Sequence, residues 1–202
     1  MRNLAILLIL LIVLVIAGGV FFWNSNARNG LKHSDTAQAA AMEEYIDEDY
    51  GISFKYPGGA RGYTVIEPVV TPEMGPEKII VLMKSRDVEL QKSGRLGGEY
   101  PPAINIRVFK NPNQQNPAAW ATENPEYANT DLMLNAMSSM TLGGKPAVRY
   151  RADGLYAADY LVIPNGNYMY LISGDFIDEN SSIKGDFERL INSIQFSAGK
   201  NS

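Results

Sequence analysis

The chain reads as an α+β domain, an antiparallel sheet flanked by helices, preceded by one N-terminal transmembrane helix. Three observations lead there. Residues 137–176 are a run of strand-length segments joined at Gly143-Gly144, Asp153-Gly154 and Asn165-Gly166, dipeptides that tolerate the positive φ of a tight hairpin. Ile183, Phe187, Leu190, Ile191 and Ile194 recur at i, i+4, i+7, i+8 and i+11, one apolar stripe of a helix. Residues 4–23 are 20 in a row without a charge, mostly Leu, Ile and Val, and as a helix they span about 30 Å, the thickness of a bilayer's hydrocarbon core.

Taken in order, residues 1–23 are expected to be an uncleaved signal anchor. The apolar run is longer than a signal-peptide core, and the Ala37-Gln38-Ala39 cleavage pattern lies well downstream of it. Phe21, Phe22 and Trp23 suit the aromatic belt at the far interface. Arg2 marks the N-terminus as cytoplasmic, which puts the domain outside the cytoplasm, although Arg28 and Lys32 reduce the charge difference. Residues 24–44 read as a tether, with helical tendency over 35–44. His33, the single histidine, lies in this tether without a partner residue nearby. Glu43, Glu44, Asp47, Glu48 and Asp49 lack the spacing of an EF-hand loop and read as a solvated acidic lead-in to the domain.

The globular domain is assigned to residues 45–198. Residues 50–56 alternate, with Ile52, Phe54 and Tyr56 on one side, and Pro57-Gly58-Gly59 closes that strand. Residues 63–66 form a short second strand, and residues 78–84 a third, apolar enough to be covered on both faces. Residues 86–102, rich in Gly and Pro, are expected to be a long mobile loop. Residues 103–110 make the fourth strand. Asn116-Pro117 caps and opens a short helix that stops by Asn124, before Pro125, with Trp120 pinning it to the sheet. The meander follows, with strands at 137–142, 146–152, 155–163 and 168–174. Asp178, Ser181 and Ser182 are candidate caps for the closing helix, and residues 199–202 are expected to fray.

Composition excludes several functions. The 202 residues contain no cysteine, so disulfides, thiolate nucleophiles, Cys-ligated zinc and cysteine lipidation are all ruled out. Without the anchor and its Arg2, 17 basic residues face 22 acidic ones, a balance that argues against a nucleic-acid partner. A Ser-His-Asp triad needs a histidine in the folded domain, where the sequence has none. Ser181-Ser182-Ile183-Lys184 spells S-x-x-K but lacks its companion motifs, and no phosphate-cradling glycine motif occurs. Asp175 and Asp178 are a pair of acids with no fixed separation, read as a strand end and a helix cap. Tyr150, Tyr156, Tyr160, Tyr168 and Tyr170 crowd the meander and, if several share one exposed face, form a surface for a protein partner or a sugar. Arg149 and Arg151, of opposite parity to Tyr150, face water or a covering segment.

Tyr50-Gly51-Ile52-Ser53-Phe54-Lys55-Tyr56-Pro57 resembles the opening strand of the PsbP family of extrinsic photosystem subunits and their uncharacterised bacterial relatives. Leu142-Gly143-Gly144-Lys145-Pro146-Ala147 is similar to that family's mid-domain hairpin, and residues 187–196 to its closing helix and strand stub. The resemblance implies a twisted antiparallel sheet with helices on its faces, the fold also of a Ran-binding protein. It implies little about activity, because one fold hosts many functions. The photosynthetic members have a removable targeting segment and a docking arm where this chain has its bilayer-length segment.

The sequence therefore predicts a membrane-anchored, non-enzymatic domain outside the cytoplasm, acting as a protein-interaction or assembly module, with no cofactor, no metal site and no catalytic residues. A small-ligand or glycan binder using the tyrosine-bearing sheet is the alternative, and a hydrolase working with carboxylates alone is a weaker one. An exposed tyrosine face favours the binder, convergent acids in a cleft the hydrolase, and a flat apolar patch the interaction module.

Overall fold

Ten strands and four helices build the domain in the computed structural model, which describes residues 40–200. The strands are β1 (Met42–Asp47), β2 (Ile52–Pro57), β3 (Tyr63–Ile66), β4 (Lys78–Lys84), β5 (Ile104–Lys110), β6 (Ser138–Leu142), β7 (Lys145–Asp153), β8 (Ala157–Asn165), β9 (Tyr168–Phe176) and β10 (Gln195–Phe196). The helices are α1 (Ser85–Lys92), α2 (Pro117–Glu123), α3 (Pro125–Ala128) and α4 (Ser182–Ser193). Seven strands form one sheet in the order β3-β4-β5-β9-β8-β7-β6, and β1-β2-β10 form a second, with every pairing antiparallel. The predicted anchor and His33 lie outside the described residues. Among the described residues no helix is long and apolar enough to cross a membrane.

The large sheet is covered on both faces. One face sends Leu82, Ile106, Tyr170, Ile172, Leu161 and Ile163 against α4 and the small sheet, which contribute Phe187, Leu190, Ile191, Ile52 and Phe54. The other sends Phe109, Leu171, Val162, Tyr160 and Tyr150 against Trp120, Ala121 and Ala128 of α2 and α3. Because β8 and β9 sit mid-sheet between these layers, they are apolar on both sides. The Asn116 side chain accepts from the Ala119 N–H at 2.8 Å and caps α2. Trp120 is buried against Phe109, with ring centroids 4.9 Å apart. The Gly143-Gly144 turn has φ of 56° and 77°, the two positive values a type I′ hairpin demands.

Four expectations are corrected. The lead-in read as tether up to residue 44 is partly strand: β1 begins at Met42, with Tyr45 stacked on Phe54 at 5.0 Å. Its carboxylates mask the signal because they line an outer edge, and Glu43 and Asp47 are occupied by the Tyr56 hydroxyl and Lys78. The predicted mobile loop at 86–102 contains α1, which buries Val88 alone and so carries too few apolar residues for a stripe. Asn165 is not a turn residue. It ends β8, buried, and its Nδ2 donates to the Ser197 carbonyl at 3.0 Å and the Gly51 carbonyl at 3.4 Å, so the chain reverses one residue later. Within the predicted frayed tail, the Lys200 N–H donates to the Glu48 carbonyl at 3.1 Å.

Candidate functional site

The meander tyrosines do not share an exposed face. Tyr150, Tyr160, Tyr168 and Tyr170 are 1, 4, 6 and 0 % exposed. Tyr150 and Tyr160 stack at 5.2 Å beneath α2 and α3. The Tyr150 hydroxyl donates to the Ala128 carbonyl and the Asn129 Nδ2 donates to the Tyr160 hydroxyl, each at 2.6 Å. Tyr168 and Tyr170 face the opposite way, under the turn that holds Tyr50. Tyr168 meets that ring edge-on at 5.2 Å, and the Tyr170 hydroxyl donates to the Tyr50 carbonyl. Burial pushes the Tyr170 phenol up to about 12. These tyrosines pack because layers cover both sides of their strands, a property that alternation along one strand does not report. Tyr156 alone of the five is at a margin, half-buried, where its hydroxyl donates to the Tyr100 carbonyl at 2.9 Å.

Arg149 and Arg151 face a covering segment, one of the two alternatives their parity left open. Asp159, 4 % exposed, accepts from Arg151 Nε at 2.8 Å and Arg149 Nη2 at 3.1 Å. Arg149 continues to Glu188 on α4, and Arg151 to Glu179 at 2.7 Å. Burial alone would push the Asp159 carboxyl up, but Arg151 and then Arg149 outweigh it and hold it below the usual range. Lys184 of the S-x-x-K pattern is ion-paired with Glu179, while Ser181 serves as the cap residue before α4. The network therefore ties the sheet to α4 and leaves neither Ser181 nor Lys184 arranged as nucleophile and base.

Asp175 and Asp178 part company. Asp178 Oδ1 accepts from the Asn180 N–H at 2.8 Å in the loop before α4. Asp175 lies on the other side of the sheet, on the floor of a cavity of about 340 Å³ with walls of Ile66, Val81 and Met83 and with Tyr100 at its rim. Asn105 Nδ2 donates to Asp175 Oδ2 at 3.1 Å. Burial pushes this carboxyl up, against the pull of Arg107 and Asn105. α2 and α3 cover β7, β8 and the Phe109 end of β5 on that face, and the cavity lies beyond them, between β3, β4, β5 and the segment around Tyr100. Asn105 and Asp175 are brought side by side by the pairing of Asn105 with Ser173, a long-range register that nothing local announces. A larger cavity, about 560 Å³, runs along the edge strand β3 and is lined by Tyr63, Thr64, Val65, Ser85 and Arg86 among others. Among the described residues no group of three acidic or histidine side chains could hold a metal ion.

Exposed apolar side chains gather at one end of the large sheet. Leu132, Met133 and Leu134 run beside the end of β7, where Met133 bridges to Ala152 and the Leu134 N–H donates to the Arg151 carbonyl. Leu155 is in the β7–β8 connection, and Ile177 follows Phe176, which pairs with Ala157 at the start of β8. Leu155 and Ile177 are 66 % and 73 % exposed. Tyr100, tied to Tyr156, stands at the same end. Nothing local in the sequence marks this surface, because its members come from four separate connections.

The two sheets, the crossing helix α4 and the helix pair on the far face make an α+β domain with a PsbP-like fold. The solution structure of cyanobacterial PsbP (CyanoP) from Synechocystis sp. PCC 6803 aligns with a TM-score of 0.53 at 14 % identity, over 83 % of this chain and 99 % of that one. A protein from Bacteroides thetaiotaomicron VPI-5482 aligns with a TM-score of 0.45 at 11 % identity, over 77 % of this chain and 48 % of that one. LpqN of Mycobacterium tuberculosis, involved in cell envelope biogenesis, gives 0.32 at 14 % identity, over 82 % of this chain and 88 % of that one. No protein-family model and no curated protein matches the sequence. The likeness to CyanoP shows the fold and nothing finer.

Proposed function

We propose that this chain is a membrane-tethered, non-enzymatic interaction module whose domain works outside the cytoplasm against a protein partner at the membrane. The observation that carries the reading is the apolar end of the sheet, where Leu132, Met133, Leu134, Leu155 and Ile177 stand in solvent around one hairpin. Clustered exposed apolar groups of this kind mark interaction surfaces. The uncharged residues 4–23 support the tether, and tethering raises the effective concentration of the domain against neighbours in the same membrane. A photo-crosslinking side chain at Leu155 or Ile177 in intact membranes is expected to give one discrete protein adduct, and the same group at Asn113, at the opposite end of the sheet, none. Equal labelling at the three positions, or none at any, would sink the reading.

A second reading, a small-ligand binder, is favoured by the Asp175–Asn105 cavity rather than by tyrosines. A saturable rise in melting temperature with one member of a panel of metals, glycans, cell-wall fragments and nucleotides supports it. A ligand at 100 times its dissociation constant adds about 2.7 kcal/mol.

A further inference from the structure

The edge strand β3 is unlike the edge strands β1 and β6. β1 carries Glu43, Glu44 and Asp47 along its edge, and β6 exposes Ser138 and Ser139. Charged and polar residues of this kind discourage an edge from accepting another strand. β3 is Tyr63-Thr64-Val65-Ile66, four strong strand formers without a charge, a proline or a glycine. It pairs with β4 from Tyr63↔Lys84 to Ile66↔Val81, and among the described residues no strand pairs with its other side. In an antiparallel pair alternate residues turn their N–H and C=O groups away from the partner, so this edge presents backbone donors and acceptors outward.

The space beside it is already formed. The larger cavity follows β3 along Tyr63, Thr64 and Val65, with Gly59, Ala60, Ser85 and Arg86 also in its lining. That lining is held in place: Ser85 Oγ bonds the Thr64 hydroxyl at 2.9 Å and donates to the Gly59 carbonyl at 2.8 Å. The smaller cavity meets Ile66, which shares a face of the sheet with Thr64. The side chains of an added strand alternate between the two faces, so those on one face meet the lining around Thr64 and Ile66 and those on the other the lining around Tyr63 and Val65. Charge at the larger cavity is uneven. Glu43 there accepts from the Tyr56 hydroxyl at 2.9 Å and Glu89 pairs with Lys92 at 3.1 Å, whereas Arg86 is exposed and has no ion pair among the described residues.

We infer that β3 is a strand-addition site that receives an extended, proline-free segment of a partner protein, with a carboxylate side chain placed to meet Arg86. Main-chain bonds to β3 supply affinity and the lining on each face selects alternate side chains. This deepens the interaction reading, on which it rests, by stating what kind of segment the partner offers.

The probe is a blocked hexapeptide with the sequence of residues 62–67, Gly-Tyr-Thr-Val-Ile-Glu, which has a matched strand propensity and one carboxylate. Hydrogen-exchange mass spectrometry on the purified full chain reads its effect. At ten times the dissociation constant the peptide is expected to slow exchange of the β3 amides about tenfold and leave the β6 amides unchanged. The peptide with proline in place of its valine should lose the effect. Arg86→Glu, on the surface and without a folding role, should weaken binding about two- to fivefold. Absent protection at β3, protection spread over β6, or equal binding of the proline peptide would each overturn the inference. So would a dimer in sedimentation of the free chain that the peptide dissociates, because a second copy would then own the edge. Adducts at Leu155 and Ile177 with a silent β3 would leave the interaction module standing and remove strand addition alone.

Discussion

Gly174→Ala tests how closely α4 lies on the sheet. Gly174 is on β9 directly under Phe187, and a β-carbon there would sit 2.7 Å from Cγ and Cδ2 of that ring and 3.0 Å from its Cβ. Carbon atoms prefer about 3.5–4.0 Å, so the gap is short by roughly 1 Å. Rotating the ring does not relieve the clash, because the Phe187 Cβ is itself among the close atoms. The helix must lift, and it is anchored by Ile183, Leu190 and Ile191 in the same core. Overpacking of this kind costs about 1–3 kcal/mol, offset by about 0.5–1 kcal/mol because alanine has fewer unfolded conformations than glycine. In a domain of this size each kcal/mol moves the melting temperature by about 2–4 °C. The expected result is a lowered midpoint in thermal unfolding followed by circular dichroism. An unchanged or raised midpoint for Gly174→Ala would show that helix and sheet are not in contact at this point, and the packing argument would fail.

Asp159→Asn removes the charge shared by Arg149 and Arg151, and a loss of about 1–3 kcal/mol is expected near neutral pH, tempered by the glutamates that still hold each arginine. The arginines hold the Asp159 carboxyl below its unfolded value, so its contribution is present above about pH 4 and lost as pH falls through the lowered folded value. Urea midpoints at pH 7 and pH 3 should fall less for the variant than for the parent, and equal falls would count against the assignment. Asp175 has the opposite sign: its folded value is raised, so its favourable share belongs to the protonated form and disappears as pH rises through that value. Asp175→Asn should therefore equal or exceed the parent in stability at pH 7, and a marked loss there would contradict a desolvated carboxylate. Trp120→Ala should cost about 3–5 kcal/mol in urea unfolding, since it opens a cavity beside Phe109; a loss below 1 kcal/mol would show the α2 face to be loosely packed.

Local patterns made much of the fold legible. The meander could be read because its strands are consecutive and its hairpins short, and α4 because its stripe repeats over three turns. β1 was hidden by carboxylates that an edge strand can turn to solvent, and α1 by having Val88 as its one buried residue. Tyr150, Tyr160, Tyr168 and Tyr170 were correctly placed on strands, Tyr156 falls in the β7–β8 connection rather than on β8, and the five were incorrectly offered as a surface. The Arg149–Asp159–Arg151 network was half visible: the parity of the arginines was plain, but Asp159 reaches them only through the β7–β8 register, where it pairs with Arg151.

By itself the sequence determined most of the strands, the glycine-bearing hairpins of the meander, that the closing helix is amphipathic, and that thiol and histidine chemistry is missing from the folded domain. The tertiary structure decided which faces are covered, which edges are left open, and that Asn105 lies beside Asp175 and Leu155 near Ile177. The reason is physical. Period and propensity report the burial of one side of one segment, whereas burial of both sides, and the meeting of residues far apart in the chain, depend on where the other layers come to rest.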